Sequence, residues 1–334
     1  MEKIVEPVVF LCIILLGYAF KRIGWVKSDD YKVMQKIVFN LLLPAAVVAS
    51  FINNEHDMRL LWVALFGFCA SVIPILTIYA VTGKTPLGNR AFYMLNGSGY
   101  NIGCFALPVV LALMGPGPAI AVIMFDIGNS VMMSAGMNAV TTQLLRIDDT
   151  QPLTPEEQSQ PLGPRPPRKV MDKDARRLQR WANFRRIARN FYSSAAFMTY
   201  MLMLLFMVVG FSIPHWVGTV LQPFSNANAF CSMFMVGMLM DLPHGTKEVK
   251  SVATVVAWRW AFAFIFSVAA WFILPVDPEI RKAVIFVCFA PVGVFSTLFT
   301  DRVLGNARLA GLCLATTAVL GLIAMTVVNI VIPA

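Results

Sequence analysis

Two ionisable residues, Asp126 and Arg259, sit deep inside apolar stretches, and they are the first places to look for chemistry. A charge at the centre of a membrane helix costs at least about 2.5–3.5 kcal/mol unless it is paired or hydrated, so such groups are functional candidates. Asn129 and Ser130 follow Asp126 by three and four residues, which puts all three on one helix face. A carboxylate flanked by an amide and a hydroxyl can bind Na⁺ or shuttle a proton; the same trio also serves as an interhelical hydrogen-bond patch. At 1.5 Å per residue, Asp126 lies roughly 12 Å and Arg259 roughly 13.5 Å along its helix. The two helices run from opposite faces, so these side chains can share a depth and either pair with each other or flank a cavity.

A second constellation concerns the backbone. Asn96-Gly97-Ser98-Gly99-Tyr100-Asn101-Ile102-Gly103, followed by Pro108, interrupts one apolar run, and Ala290-Pro291-Val292-Gly293 interrupts another. A helix broken in hydrocarbon frees backbone donors and acceptors, which survive only when buried in protein or facing a wet cavity. Corresponding broken helices in two halves of a chain are the best sequence pointer to a transporter's substrate site. Asn101 can donate its side-chain amide to a carboxylate beside the exposed end of a half-helix. Ser296 and Thr297 can do the same after the second break, or bond back to their own helix. Gly103 and Gly293 offer backbone amides. Arg259 offers a planar fork of two donors to a carboxylate, unless Asp126 already consumes it.

Helices must carry these residues, and the composition supplies them. Of 334 residues, 58% are apolar and 13% charged, with mean hydropathy +0.70. Soluble domains run at roughly 45–50% and 25%, so a soluble enzyme is excluded, and a disordered chain with it. At roughly 20 residues per crossing, the apolar blocks predict ten membrane helices. They fall near residues 4–20, 34–52, 60–82, 91–114, 118–145, 192–213, 218–240, 250–274, 281–304 and 307–332. The first run has no small-x-small cleavage site after it and is kept as a helix. Three parts follow: a first five-helix repeat over 1–145, a proline-rich and then basic linker over 146–191, and a second five-helix repeat over 192–334.

Of the 27 Lys and Arg, 21 share a side with the linker, Lys3, Arg59, Arg281 and Lys282 fall opposite, and Lys36 and Arg259 lie within spans. The positive-inside rule puts the linker in the cytoplasm and both termini outside. The net charge of +9 is then an orientation signal, and no nucleic-acid partner is expected. In the linker, Trp181, Phe184, Ile187, Ala188 and Phe191 share a face opposite Arg185, Arg186 and Arg189, which predicts a basic amphipathic helix against membrane lipids. Five spans per half is an odd number, so homologous halves insert in opposite orientations. Leu16-Gly17-Tyr18-Ala19-Phe20 and Val209-Gly210-Phe211-Ser212-Ile213, closing the first span of each half, are weakly alike.

Cys12, Cys69, Cys104, Cys231, Cys288 and Cys313 lie in apolar runs without disulfide or zinc spacing, and His56, His215 and His244 fall in loops or at span ends. No metal site, no cofactor and no nucleophile beside a base is expected, hence no enzyme.

Taken in order, Asn40-Leu41-Leu42-Leu43-Pro44, Asn101-Ile102-Gly103 with Leu107-Pro108, Gly115, Phe125-Asp126, Asn129 and Ala290-Pro291-Val292-Gly293 resemble the bacterial branch of the auxin efflux carrier family. The likeness covers nearly all of the chain outside 146–191. It implies an all-α integral membrane fold of ten transmembrane helices, built as two inverted five-helix repeats and shared with bile acid sodium symporters. Spans 1, 2, 6 and 7 would form a scaffold; spans 3–5 and 8–10 would form a mobile unit in which broken helices 4 and 9 cross. The resemblance also implies a homodimer in the inner (plasma) membrane and a secondary transporter that exports small organic anions, mono- or dicarboxylates, by elevator-type alternating access. The plant members' Asn-Pro-Asn-Thr-Tyr is absent around Asn101, and the bacterial relatives suggest malonate, malate or similar carboxylates. On this reading the substrate meets Asn101, Gly103, Pro108, Arg259, Pro291, Gly293 and Thr297. Two other readings stay open: an importer coupled to Na⁺ or H⁺ through Asp126, Asn129 and Ser130, and a non-transporting sensor or scaffold on the same fold.

Overall fold

The structure, a computed structural model, describes residues 2–27, 29–52, 57–148, 151–163, 181, 185, 192 and 194–332. Among the described residues the regular elements are all helices. In the first half, α1 is Glu2–Arg22, α2 is Tyr31–Ile52 and α3 is Met58–Val81. Then come α4 (Leu87–Gly97), α5 (Ile102–Met114) and α6, which runs Pro116–Val131 and continues through Met132–Gly136 and Met137–Leu145. The linker contributes a short α7, Pro155–Ser159. The second half holds α8 (Ala195–Val209), α9 (His215–Leu239), α10 (Thr246–Ile273), α11 (Pro278–Cys288), α12 (Val294–Leu304) and α13 (Ala307–Val331).

Length and apolarity qualify five of these as membrane spans: α2, α3, Pro116–Ser134 of α6, α10 and α13. The pair α4 and α5, bent by 51° at its break, makes a sixth if counted as one span; α8 is apolar but shorter. The outer surface is oily where hydrocarbon would touch it: Phe264, Ile265, Val268 and Phe272 of α10 are all exposed. The chain is therefore a multi-pass membrane protein.

Two helix seams fix the frame around the interior. A Cβ on Gly128 would stand 2.0 Å from the Ala64 carbonyl oxygen, and one on Gly67 would stand 2.2 Å from that of Phe125. Those glycines let α3 and α6 touch backbone to backbone, as small residues do between membrane helices. The contact sets the rotation of α6, and with it the face that carries Asp126, Asn129 and Ser130. Gly17 and Gly237 close the α1–α9 seam in the same way.

Part of the linker packs as a strap. Thr154 caps α7 in a reciprocal capping box with Glu157. The Leu87 amide donates to the Gln160 carbonyl at 2.7 Å, and the Leu153 amide to the Val303 carbonyl at 2.9 Å. Gln158 Nε2 donates to the carbonyls of Leu153 at 2.8 Å and Leu304 at 3.2 Å. Residues 151–163 thereby tie the start of α4 to the end of α12. The amphipathic helix expected around Phe184, Arg186, Ile187, Ala188, Arg189 and Phe191 lies outside the described residues, as does His56.

Candidate functional site

Both interruptions foreseen from glycine and proline are breaks in the helices. After Gly97, Ser98 is extended and Gly99 takes φ +68°, a left-handed geometry that costs glycine no Cβ clash. In the second break the Phe289 and Ala290 amides close the last turn on the Phe286 and Val287 carbonyls. Pro291 has no N–H with which to continue, and Gly293 is the extended N-cap of α12. The two breaks touch, because the Asn101 amide donates to the Pro291 carbonyl at 2.9 Å.

A broken helix leaves free carbonyls on one side of the gap and free amides on the other. Arg259, reaching in from α10, takes the carbonyls of both breaks. Its Nη1 donates to Gly99 at 2.7 Å and Asn96 at 3.2 Å, and its Nη2 to Ala290 at 2.6 Å. The guanidinium carbon stands 5.0 Å from the centre of the Tyr100 ring. Each helix C-terminus carries about half a negative charge, so one guanidinium matches two of them. Equal depth therefore does not bring Arg259 to Asp126. Nor does it bring Arg259 to the amide side of the breaks: three of its five N–H donors go to backbone carbonyls, and it does not line the cavity there.

Asn129 secures the first break from α6. Its Nδ2 donates to the Tyr100 carbonyl at 2.9 Å and to Asp126 Oδ1 at 2.8 Å, while its Oδ1 accepts from the Tyr100 amide and from Ser71 Oγ, each at 3.0 Å. The other carboxylate oxygen of Asp126 accepts from the Tyr200 hydroxyl at 2.5 Å, and the Gly103 amide faces the same carboxylate.

The amide sides of both breaks open on a cavity of about 50 Å³. Asn101, Gly103, Asp126, Asn129, Ser130 and Gly293 line it, together with Phe39, Leu43, Tyr100, Cys104, Ser134, Ser194 and Tyr200. No Lys, Arg or His is among the described residues of its wall. Asn101 is 4% exposed and its Nδ2 has no partner. A buried amide donor left open is costly, and two more unpartnered buried atoms, Asn96 Oδ1 and Ser296 Oγ, stand beside the same two breaks. The Ser130 hydroxyl bonds back to the Ile127 carbonyl at 2.9 Å.

Four residues expected at the site lie off this wall. Arg259 holds the carbonyls of Asn96, Gly99 and Ala290. Pro108 is buried inside α5 just after its π turn, Pro291 contributes its carbonyl to Asn101, and the Thr297 hydroxyl bonds back to the Val294 carbonyl at 2.7 Å. Tyr200 and Asn228 were not foreseen, since one tyrosine and one asparagine in apolar runs carry no sign of their targets. Three π turns also escaped the sequence: Val38–Leu42, Ile102–Ala106 and Met132–Gly136. Each supplies cavity wall, through Phe39, through Ile102, Gly103 and Cys104, and through Met133 and Ser134. Such turns gather at functional sites in helical proteins.

Apolar helices broken at two meeting points, with a cavity of mixed polar and apolar lining at their amide ends, are the architecture expected of a membrane carrier. A sequence model of the family described as membrane transport protein matches residues 3–329, and the chain belongs to this family, that of the auxin efflux carriers. A search of curated proteins finds no match.

Proposed function

We propose that the chain is a secondary carrier that exports small organic anions by alternating access. The observation that carries this reading is Asn101, whose Nδ2 is buried without a partner and which lines a cavity flanked by the N-termini of α5 and α12. Two helix N-termini and a neutral amide suit a carboxylate, and they do so without a cationic side chain. Gly103 and Gly293 supply backbone there, while Arg259 and Pro291 act at one remove by holding the breaks in place.

In this reading the helices form ten spans in two inverted five-helix repeats, with α4–α5 and α11–α12 as the crossing pair, and the protein is a homodimer in the inner membrane with both termini outside. Helices α3–α6 and α10–α13 move as an elevator against α1, α2, α8 and α9. One further observation favours coupling: Asp126 lines the same cavity as the proposed anion site. Neutralising that carboxylate with H⁺ or Na⁺ removes the repulsion, with Asn129 and Ser130 beside it.

The test is counterflow of labelled malonate, malate and acetate in liposomes holding the pure protein, at several pH values, with and without Na⁺. Uptake by the parent and about tenfold weaker apparent affinity in Asn101→Ala, the worth of one charge-assisted hydrogen bond, are expected. Binding of these anions without flux would replace the carrier reading with that of a sensor. Normal flux by Asn101→Ala would move the anion site elsewhere.

A further inference from the structure

We infer that Tyr200 and Asn228 form a latch that holds the first crossover in place and must open for the carrier to turn over. This rests on the reading that α3–α6 and α10–α13 move as one unit, because both residues come from helices of the other group. Tyr200 of α8 donates to Asp126 Oδ2 on α6 at 2.5 Å. Asn228 of α9 donates through Nδ2 to the Gly103 carbonyl at 3.2 Å, and its Oδ1 accepts from Ser232 one turn on, also at 3.2 Å. Ser232 in turn lies beside the Cys104 thiol. Leu43 of α2 completes the clasp: its two δ-methyl groups stand 2.6 and 2.7 Å from where a Cβ on Gly103 would be.

Three helices of the static group thus converge on Gly103, Cys104 and Asp126. All four polar residues of the clasp are buried: Tyr200, Asn228, Ser232 and Asp126. In such surroundings hydrogen bonds hold position well, and a unit that slides past α8 and α9 must give up both of these together.

The second crossover is held differently. Its Val292 amide donates to Thr317 Oγ1 at 3.2 Å, and Thr317 belongs to α13, within the mobile group itself. Thr317 stands ten residues after the start of α13, as Asp126 stands ten after the start of α6. At matching places one repeat has a carboxylate that a static helix can grip, and the other has a hydroxyl used internally. The latch is therefore one-sided, and it favours the conformation described here. It also shares Asp126, Gly103, Cys104 and Tyr200 with the cavity wall, so whatever fills the cavity bears on the latch directly.

Cys104 is a built-in reporter, because it is 1% exposed between the two groups. The experiment uses full-length protein in liposomes with the other five cysteines replaced by alanine, and follows the rate of Cys104 modification by N-ethylmaleimide. Tyr200→Phe removes one oxygen, and Asn228→Ala removes the second grip. Each is expected to speed labelling about fivefold or more, the population shift that one hydrogen bond of ordinary strength produces. Malonate should change the parent's labelling rate as well. Parent-like labelling in both variants, while malonate still changes the parent's rate, overturns the latch and leaves the carrier reading standing. Faster labelling in both variants with no malonate effect upholds the latch and removes malonate as the cavity's ligand. If neither variant nor malonate alters the rate, the latch fails together with the mobile unit. Tyr200→Phe is the arm to rely on if Asn228→Ala loses its fold.

Discussion

Asn129 pairs with both backbone groups of Tyr100, giving Nδ2–H to its carbonyl at 2.9 Å and accepting its amide on Oδ1 at 3.0 Å. A side-chain amide thus stands in for the backbone partner that Tyr100 lost when the helix broke. Asn129→Leu leaves that amide and carbonyl buried and unpaired, at about 3 kcal/mol or more. Thermal unfolding in detergent should show a fall of several degrees, and a smaller one for Ser71→Ala, which removes a single bond to Asn129. A parent-like midpoint for Asn129→Leu would refute this role.

Arg259 should behave as a cap on backbone carbonyls. Arg259→Met exposes three buried acceptors, those of Asn96, Gly99 and Ala290, and each charge-assisted bond is worth about 1.5–3 kcal/mol. Arg259→Lys keeps the charge but cannot span both helix ends, so it should fall between Met and the parent in thermal stability. In protein that stays folded, the change to Lys should weaken anion binding less than Asn101→Ala does. The reverse order would return Arg259 to the role of anion receptor.

Gly103→Ala should damage the carrier by sterics alone, because the new methyl meets the δ-carbons of Leu43. Leu43→Ala opens that space. Combined, the two changes should recover part of the stability that Gly103→Ala loses, a coupling of about 1 kcal/mol or more in a double-mutant cycle. Additive losses would show that the contact does not limit the site.

The strap gives a prediction on the linker side. Gly88→Leu intrudes on Gln158, whose Cβ would be 2.9 Å from a Cβ at that position. Displacement of 151–163 should then raise the rate of limited proteolysis within that segment several-fold, while Gln158→Ala, which loses two hydrogen bonds, should cost about 1–2 kcal/mol. Unchanged cleavage in Gly88→Leu would mean that the strap does not depend on this close approach.

How far the sequence could be read follows from what each signal encodes. Glycine and proline report on the backbone, so both breaks were legible, as were Asn101 and Gly103 beside the first and Gly293 beside the second. The spacing of Asp126, Asn129 and Ser130 placed them on one face, and all three line the cavity. Depth along a helix says nothing about direction around it. That is why Asp126 and Arg259, reckoned at similar depth, have separate partners: a hydroxyl and an amide for one, backbone carbonyls for the other. Pro108 opens no gap of its own: it lies inside α5, just after the π turn Ile102–Ala106, whose wider winding suits a residue with no N–H to give. Tyr200 and Asn228 find their partners through packing between the two halves, which no local pattern records.

The three π turns each hold one residue more than an α turn needs. Deleting a residue from an ordinary helix rotates everything after it by about 100° and scrambles its packing. Deletion inside Met132–Gly136 would instead let the turn relax to α geometry, leaving the helix on either side in register, whereas Pro44 just after Val38–Leu42 resists that change. Chain length and helical phase are uncoupled at Met132–Gly136, which lies in the cavity wall. The cavity's volume can therefore be reshaped by single insertions and deletions while the rest of the same helix keeps its alignment, a freedom that point substitution alone does not offer.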